Sequence, residues 1–145
     1  MQSLEKLRPL ALLLLRLALG AIFVFHGYPK LFGNTREAAQ AFVHMGFPAY
    51  IAYISGVIEF FGGFMLVAGL FTRVAGLLLT GEMVVALWKV QRIVLDPHAI
   101  QNYQLPLALA VGAFALATFG AGVVSIDHAL FRDARSAPRK SKARD

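Results

Sequence analysis

Cysteine is absent from the 145 residues of this sequence, and charged residues are scarce, at 15% of the chain. The absence of cysteine excludes disulfides, thiol redox chemistry and thiolate metal sites within the chain. Soluble domains contain roughly 25% charged residues. Hydrophobic residues make up 58% of this chain, which is more apolar surface than a domain of this size buries in water. The composition therefore predicts a membrane protein, in which lipid covers the apolar surface that the fold leaves exposed.

Four long apolar segments account for most of the sequence. The predicted spans are about 9–27, 49–71, 72–95 and 103–126. Each is close to the ~20 residues that a helix needs to cross ~30 Å of hydrocarbon, and backbone groups in lipid find their hydrogen bonds within helices. The predicted fold class is therefore all-α, an integral membrane four-helix bundle. Residues 1–131 form this transmembrane domain, and the basic residues 132–145 are expected to form a disordered cytoplasmic tail.

The segment between the first two spans predicts a short amphipathic helix. Ala38, Phe42 and Met45 recur there at helical spacing. The helix is expected to begin at Thr35, and Gly46 is placed to end it. We expect this helix to lie along the outer membrane surface.

The distribution of basic residues predicts the orientation in the membrane. Of the fourteen lysines and arginines, nine lie on the side of the termini, four lie on the opposite side, and Arg16 lies within a span. Because cytoplasmic loops carry the excess of basic residues, we expect both termini in the cytoplasm. The net charge of +6 is interpreted as this topology signal, and nucleic acid is not expected as a partner.

Three ionisable residues, Arg16, Glu59 and Glu82, fall well inside the predicted spans. A charge at the bilayer centre costs at least ~2–3 kcal/mol, so each residue is expected to face protein, water or a partner. The helical rise places Arg16 and Glu82 about 10 and 13 Å above the cytoplasmic end, and Glu59 about 18 Å above it. It places His26 and Lys89 about 25 and 24 Å up, near the outer rim.

These residues, with Lys30 one helical turn after His26, form the candidate polar site: Arg16, His26, Lys30, Glu59, Glu82 and Lys89. In a structural interpretation, Arg16 neutralises one glutamate, because its planar guanidinium binds a carboxylate through two donors. In a functional interpretation, a protonated Glu59 or His26 donates a hydrogen bond to a quinone carbonyl, or the buried glutamates carry a proton. The phenylalanines at positions 23, 25, 60, 61 and 64 are candidates to line a quinone pocket, or else face lipid or core. The four histidines lack paired ligand spacing, so no metal site is predicted.

Three stretches carry a family resemblance: "RLALGAIFVFHGYPKLFG", "GVIEFFGGFMLVAGLFTRVAG" and "GEMVVALW". In this order they resemble the DoxX family of small bacterial membrane proteins. The matching motif positions are Arg16, His26, Gly27, Lys30, Glu59, Gly62, Gly63, Thr72 and Arg73. The resemblance implies a four-helix protein of the bacterial cytoplasmic (inner) membrane with an oxidoreductase-associated role, since relatives include small subunits of thiosulfate:quinone oxidoreductase. It assigns no catalytic residue.

The sequence leaves three functions open, and with them the question of whether the chain is an enzyme. The preferred one is a membrane subunit of a redox system, contributing a quinone or small-molecule pocket or a proton path. No flavin, haem or iron–sulfur motif is evident, so a partner redox protein is expected to carry the electrons. The alternatives are a small proton or anion transporter or channel, formed by a homo-oligomer, and a non-catalytic membrane scaffold.

Overall fold

The computed structural model describes residues 5–93 and 100–130. Over these residues the fold is all-helical, which confirms the all-α part of the predicted class. The helices are α1 (Arg8–Leu31), α2 (Thr35–His44), α3 (Tyr50–Ala68), α4 (Thr72–Ile93) and α5 (Ile100–Phe119), and a helical turn at residues 126–130 follows them. Helix α2 confirms the predicted amphipathic helix between the first two spans. The expected tail at 132–145 lies outside the described residues.

Within residues 5–93 and 100–130, two helices, α1 and α3, are long and apolar enough to cross a membrane. Helix α4 carries Arg73, Glu82 and Lys89 along its length, and the apolar part of α5, Gln104–Phe119, is shorter. Crossing by all four helices therefore stays a prediction.

Helix α1 continues beyond the predicted end of its span. It passes through Pro29 to Leu31, and the Phe32 N–H closes it with a hydrogen bond to the Tyr28 carbonyl at 2.8 Å. Pro29 has no N–H to donate to the Phe25 carbonyl four residues earlier, so it removes one backbone hydrogen bond from the last turns of the helix. The extension places Lys30 on the helix, one turn beyond His26.

Glycines allow α1 and α3 to pack with their backbones in contact. A Cβ added at Gly63 would lie 2.7 Å from the Gly20 carbonyl oxygen, and one added at Gly27 would lie 2.5 Å from the Phe60 nitrogen. Both distances are too short for a side chain, so these two positions require glycine. Such close packing is typical of helices in membranes, where van der Waals contact drives association.

The hydrophobic core lies between α1, α3, α4 and α5. Its largest fully buried apolar side chains are Phe23, Leu66, Leu79 and Leu116. Many large apolar side chains instead point outward; Phe25 is 78% exposed and Leu77 and Val111 are each 62% exposed. An apolar outer surface of this kind suits a protein that faces lipid.

Helix α5 ends at Phe119, earlier than the predicted limit near residue 126. Gly120 and Gly122 take left-handed conformations, with φ of +80° and +78°, which favour glycine and stop the helix. The chain then turns back onto the α3–α4 turn, where the Asp127 carboxylate accepts hydrogen bonds from the N–H groups of Phe71 (2.7 Å) and Thr72 (3.0 Å). Asp127 thus caps the N-terminal end of α4.

We expect Gly63→Ala to destabilise the fold by about 1–3 kcal/mol, because its methyl group would overlap the backbone of α1. The measurement is the thermal melting temperature of the purified protein in detergent. Gly81→Ala is the matched control, since a Cβ at Gly81 meets nothing within 4 Å. Equal melting temperatures for the two variants would contradict the backbone contact between α1 and α3.

Candidate functional site

A cavity of about 390 Å³ opens between α1, α3, α4 and α5, and residues from the C-terminal end of α2 and the α2–α3 connection cover one side of it. Five of the six predicted site residues line it: His26, Lys30, Glu59, Glu82 and Lys89. Most of the other lining side chains are apolar. The structure therefore brings most of the predicted polar site together in one place.

Lys30 links three residues at the inner side of this cavity. Its Nζ lies 2.5 Å from Glu59 Oε2 and donates a hydrogen bond to Ser55 Oγ at 2.8 Å. It also lies 5.3 Å from the centre of the Phe42 ring, a distance that allows a cation–π interaction. The Lys30 and Glu59 side chains are only 18% and 5% exposed, so the ion pair is shielded from solvent.

Ser55 connects this ion pair to the second glutamate. Its hydroxyl donates a short hydrogen bond to Glu82 Oε1, while Glu82 Oε2 is buried and has no hydrogen-bond partner within the described ranges. We call Lys30, Ser55, Glu59 and Glu82 the polar floor. Sequence reasoning missed Ser55, although it lies four residues before Glu59 on α3, where both side chains share a face.

Lys89 and His26 lie at the rim of the cavity. Lys89 Nζ is 4.3 Å from the centre of the Phe47 ring and 5.9 Å from that of Trp88. His26 is exposed, and its Nδ1 lies 2.9 Å from the Ile22 carbonyl oxygen. Because that carbonyl accepts a hydrogen bond from Nδ1, Nε2 is the ring nitrogen left for a ligand.

Arg16 does not belong to this cavity, and the expectation that it neutralises a glutamate was wrong. It is 3% exposed, and its guanidinium donates hydrogen bonds to the carbonyl oxygens of Ala121 (2.6 Å), Val124 (2.8 Å) and Val67 (3.3 Å). These carbonyls lie at the end of α3 and in the loop after α5. The physical reason is that carbonyls outside regular helix need donors, whereas Lys30 already pairs with Glu59.

Of the two interpretations of the phenylalanines, the structure supports core and outer surface, because none of the five lines the cavity. Phe23 is fully buried in the core, and the Phe60 ring makes edge contacts with the rings of Phe61 and Phe64. The aromatic rings that do line it are Phe42 and Phe47, from α2 and the connection that follows. Within the described residues, no group of three or more His, Asp or Glu side chains is arranged to hold a metal ion.

A comparison with protein-family models identifies the family. The DoxX model matches residues 11–92, which is more than half of the chain. The chain belongs to the DoxX family. The matched region contains Arg16, the polar floor, His26 and Lys89, so all six predicted site residues fall within the DoxX part of the sequence.

Three curated relatives are similar to this DoxX chain. It is 31% identical over 120 residues to "Putative oxidoreductase CatD" of Bacillus subtilis, covering 83% of this chain and 87% of that protein. It is 30% identical over 128 residues to "Inner membrane protein YphA" of Escherichia coli, covering 83% and 90%. It is 36% identical over 86 residues to a Haemophilus influenzae protein, covering 59% and 63%. No solved structure shows significant similarity to the chain.

The family match and the relative named for the inner membrane place this DoxX chain among membrane proteins. The lipid bilayer therefore surrounds the apolar outer faces of the protein.

We expect Arg16→Met to release the loop after α5, because three carbonyl oxygens lose a charged donor, each such bond contributing about 1.5–3 kcal/mol. The measurement is hydrogen–deuterium exchange of the Asp127 amide, whose N–H donates to the Gly69 carbonyl at 2.8 Å. Exchange of this amide should become at least about tenfold faster. Arg36→Met, on the exposed face of α2, is the matched control. Unchanged exchange in Arg16→Met would show that the guanidinium does not hold this loop.

Proposed function

We propose that this DoxX protein is a membrane subunit of a redox system and that its cavity binds the head group of a quinone. The observation that carries the proposal is the polar floor at the base of an otherwise apolar cavity. Sites for small molecules are mostly apolar, of ~300–1,000 Å³, with a few converging polar groups that orient the ligand. A quinone, an apolar ring that carries oxygen atoms, matches this chemistry.

Two side chains at the rim, Lys89 and His26, can donate hydrogen bonds to the oxygen atoms of the ligand. Among the described residues, Lys89 Nζ faces the rings of Phe47 and Trp88, so its N–H groups are available to a carbonyl oxygen. His26 Nε2 can serve the same role when it carries a proton. Glu82, which lines the same cavity, offers a further polar atom, Oε2, without a hydrogen-bond partner among the described residues.

The redox association of the proposal comes from the relatives. CatD, the Bacillus subtilis relative, bears the name of an oxidoreductase. The present chain has no cysteine, so it cannot ligate an iron–sulfur cluster through thiolates. In the proposed arrangement, this chain binds the quinone in the membrane, and a partner redox protein exchanges the electrons with it.

Trp88 allows the proposal to be tested directly, because it is the one tryptophan of the chain and Lys89 Nζ lies 5.9 Å from its ring. We expect saturable quenching of its fluorescence when a short-chain benzoquinone is added to protein in detergent. Lys89→Met should weaken this binding about tenfold, since one charge-assisted hydrogen bond is lost.

Lys6→Met is the matched control, because Lys6 is exposed near the N-terminus and far from Lys89 along the chain; it should bind as the parent protein does. Quenching that increases linearly without saturation, together with no quinone in lipid extracts of the purified protein, would reject the quinone site. Proton flux in liposomes that required Glu59 would then favour a transporter.

We further propose that four helices cross the inner membrane with both termini in the cytoplasm, which the excess of basic residues beside the termini supports. The cysteine-free chain provides a clean background for single-cysteine labelling. A membrane-impermeant maleimide should label Gln40→Cys, in α2, from the periplasm. It should label Lys6→Cys only after the inner membrane is permeabilised. Labelling of both positions from the same side would contradict this topology.

A further inference from the structure

The polar floor holds two carboxylates but one ammonium group. Lys30 Nζ lies 2.5 Å from Glu59 Oε2, donates to Ser55 at 2.8 Å and faces the Phe42 ring at 5.3 Å. Of the three N–H donors of a lysine, two are directed at Glu59 and Ser55, and the Phe42 ring lies beside the ammonium group. The Lys30 ammonium group, which lies in the same cavity as Glu82, is therefore already paired with Glu59.

The hydrogen bonds at Ser55 have a fixed direction. Lysine only donates, so Ser55 Oγ accepts from Lys30, and the single proton of the Ser55 hydroxyl is donated to Glu82 Oε1. Glu82 Oε1 is thus an acceptor. Oε2 is buried and unpartnered within the described ranges. Any proton that Glu82 holds is therefore on Oε2, the free oxygen of a residue that lines the cavity.

We infer that Glu82 Oε2 is the atom that distinguishes the reduced and oxidised forms of the ligand. Ionised Glu82 accepts a hydrogen bond from the hydroxyl of a quinol, and protonated Glu82 donates one to the carbonyl of a quinone. This inference rests on the proposed quinone site and assigns to Glu82 the role that the sequence suggested for Glu59 or His26. It concerns binding equilibria, in which no covalent bond of the ligand changes.

Other ionisable groups around Glu82 affect both ligand forms. Those that line the same cavity are His26 and Lys30 on α1, Glu59 on α3 and Lys89 on α4. The lining residues from α2, its connection to α3 and α5 are apolar: Phe42, Met45, Phe47, Leu105, Pro106 and Leu109. Lys30 and Glu59 keep their contact with each other when either form of the ligand binds. Lys89 and His26 reach the ligand, and Glu82→Gln, which retains both, separates their contribution from that of Glu82.

The two complexes differ by one proton on Glu82, and this gives a simple relation with pH. The ratio of quinol affinity to quinone affinity rises with the ratio of ionised to protonated Glu82, by at most about tenfold per pH unit. The pH at which Glu82 titrates changes the size of the affinity ratio but not the direction in which it changes with pH. Phenolic hydroxyls titrate near pH 10, so the quinol stays uncharged at lower pH.

The experiment is equilibrium dialysis of the purified protein in one detergent, with a short-chain benzoquinone in air and its quinol under argon, from mildly acidic to mildly alkaline pH. Both probes are uncharged over this range, so their partition into detergent is the same at each pH. The chain has no cysteine, so the reductant that maintains the quinol has no disulfide to reduce. We expect the affinity ratio to rise with pH in the parent protein.

Three variants assign the effect to one carboxylate. In Glu82→Gln the ratio should become independent of pH, whereas in Glu37→Gln, an exposed carboxylate on α2, the parent slope should persist. A slope that persists in Glu82→Gln and disappears in Glu59→Gln would overturn the assignment in favour of Glu59. Saturable binding with a flat ratio in the parent protein would overturn the inference but leave the quinone site standing. Binding of neither form would reject the proposed function itself.

Discussion

The ion pair between Lys30 and Glu59 is the interaction on which the cavity depends. Two ions removed from water each lose several kcal/mol of hydration, which only a close and well-bonded geometry offsets. Backbone packing supplies that geometry, because glycines bring α1 against α3 and α1 continues through Pro29 far enough to carry Lys30. A Cβ at Gly56 would lie 2.8 Å from the Lys30 Cβ, so the lysine stem itself lies against α3 at a glycine.

The two buried cations have different roles, and the difference follows from their chemistry. Arg16 has five N–H donors in one plane, and it donates to three carbonyls that come from two separate chain segments. In lipid an unpaired carbonyl costs several kcal/mol, so Arg16 closes that end of the bundle. Lys30 presents a compact charge on a flexible stem, which suits a carboxylate and a hydroxyl that lie one helical turn apart on α3.

The sequence predicted the parts of this arrangement that depend on local geometry. Helix α2 follows from helical periodicity, which needs no knowledge of neighbouring helices. The partner of Arg16 depends on the rotation of each helix and on the loop after α5, which Gly120 and Gly122 create. The two glycines are visible in the sequence as a possible helix end, but glycine in an apolar segment also favours helix packing. The sequence pattern did not single out Ser55, because one serine hardly changes the pattern of an apolar segment.

Ser55 determines how the two glutamates come to differ. An alanine there would leave Glu82 without its donor, and a second lysine would fix both carboxylates as ions. The serine hydroxyl instead accepts a hydrogen bond from Lys30 and donates one to Glu82 Oε1, and it adds no charge. Glu59 is thereby held by a full positive charge, while Glu82 is held by a neutral donor and keeps one oxygen free. A strong ion pair that maintains the packing can thus lie beside a carboxylate that still responds to what enters the cavity.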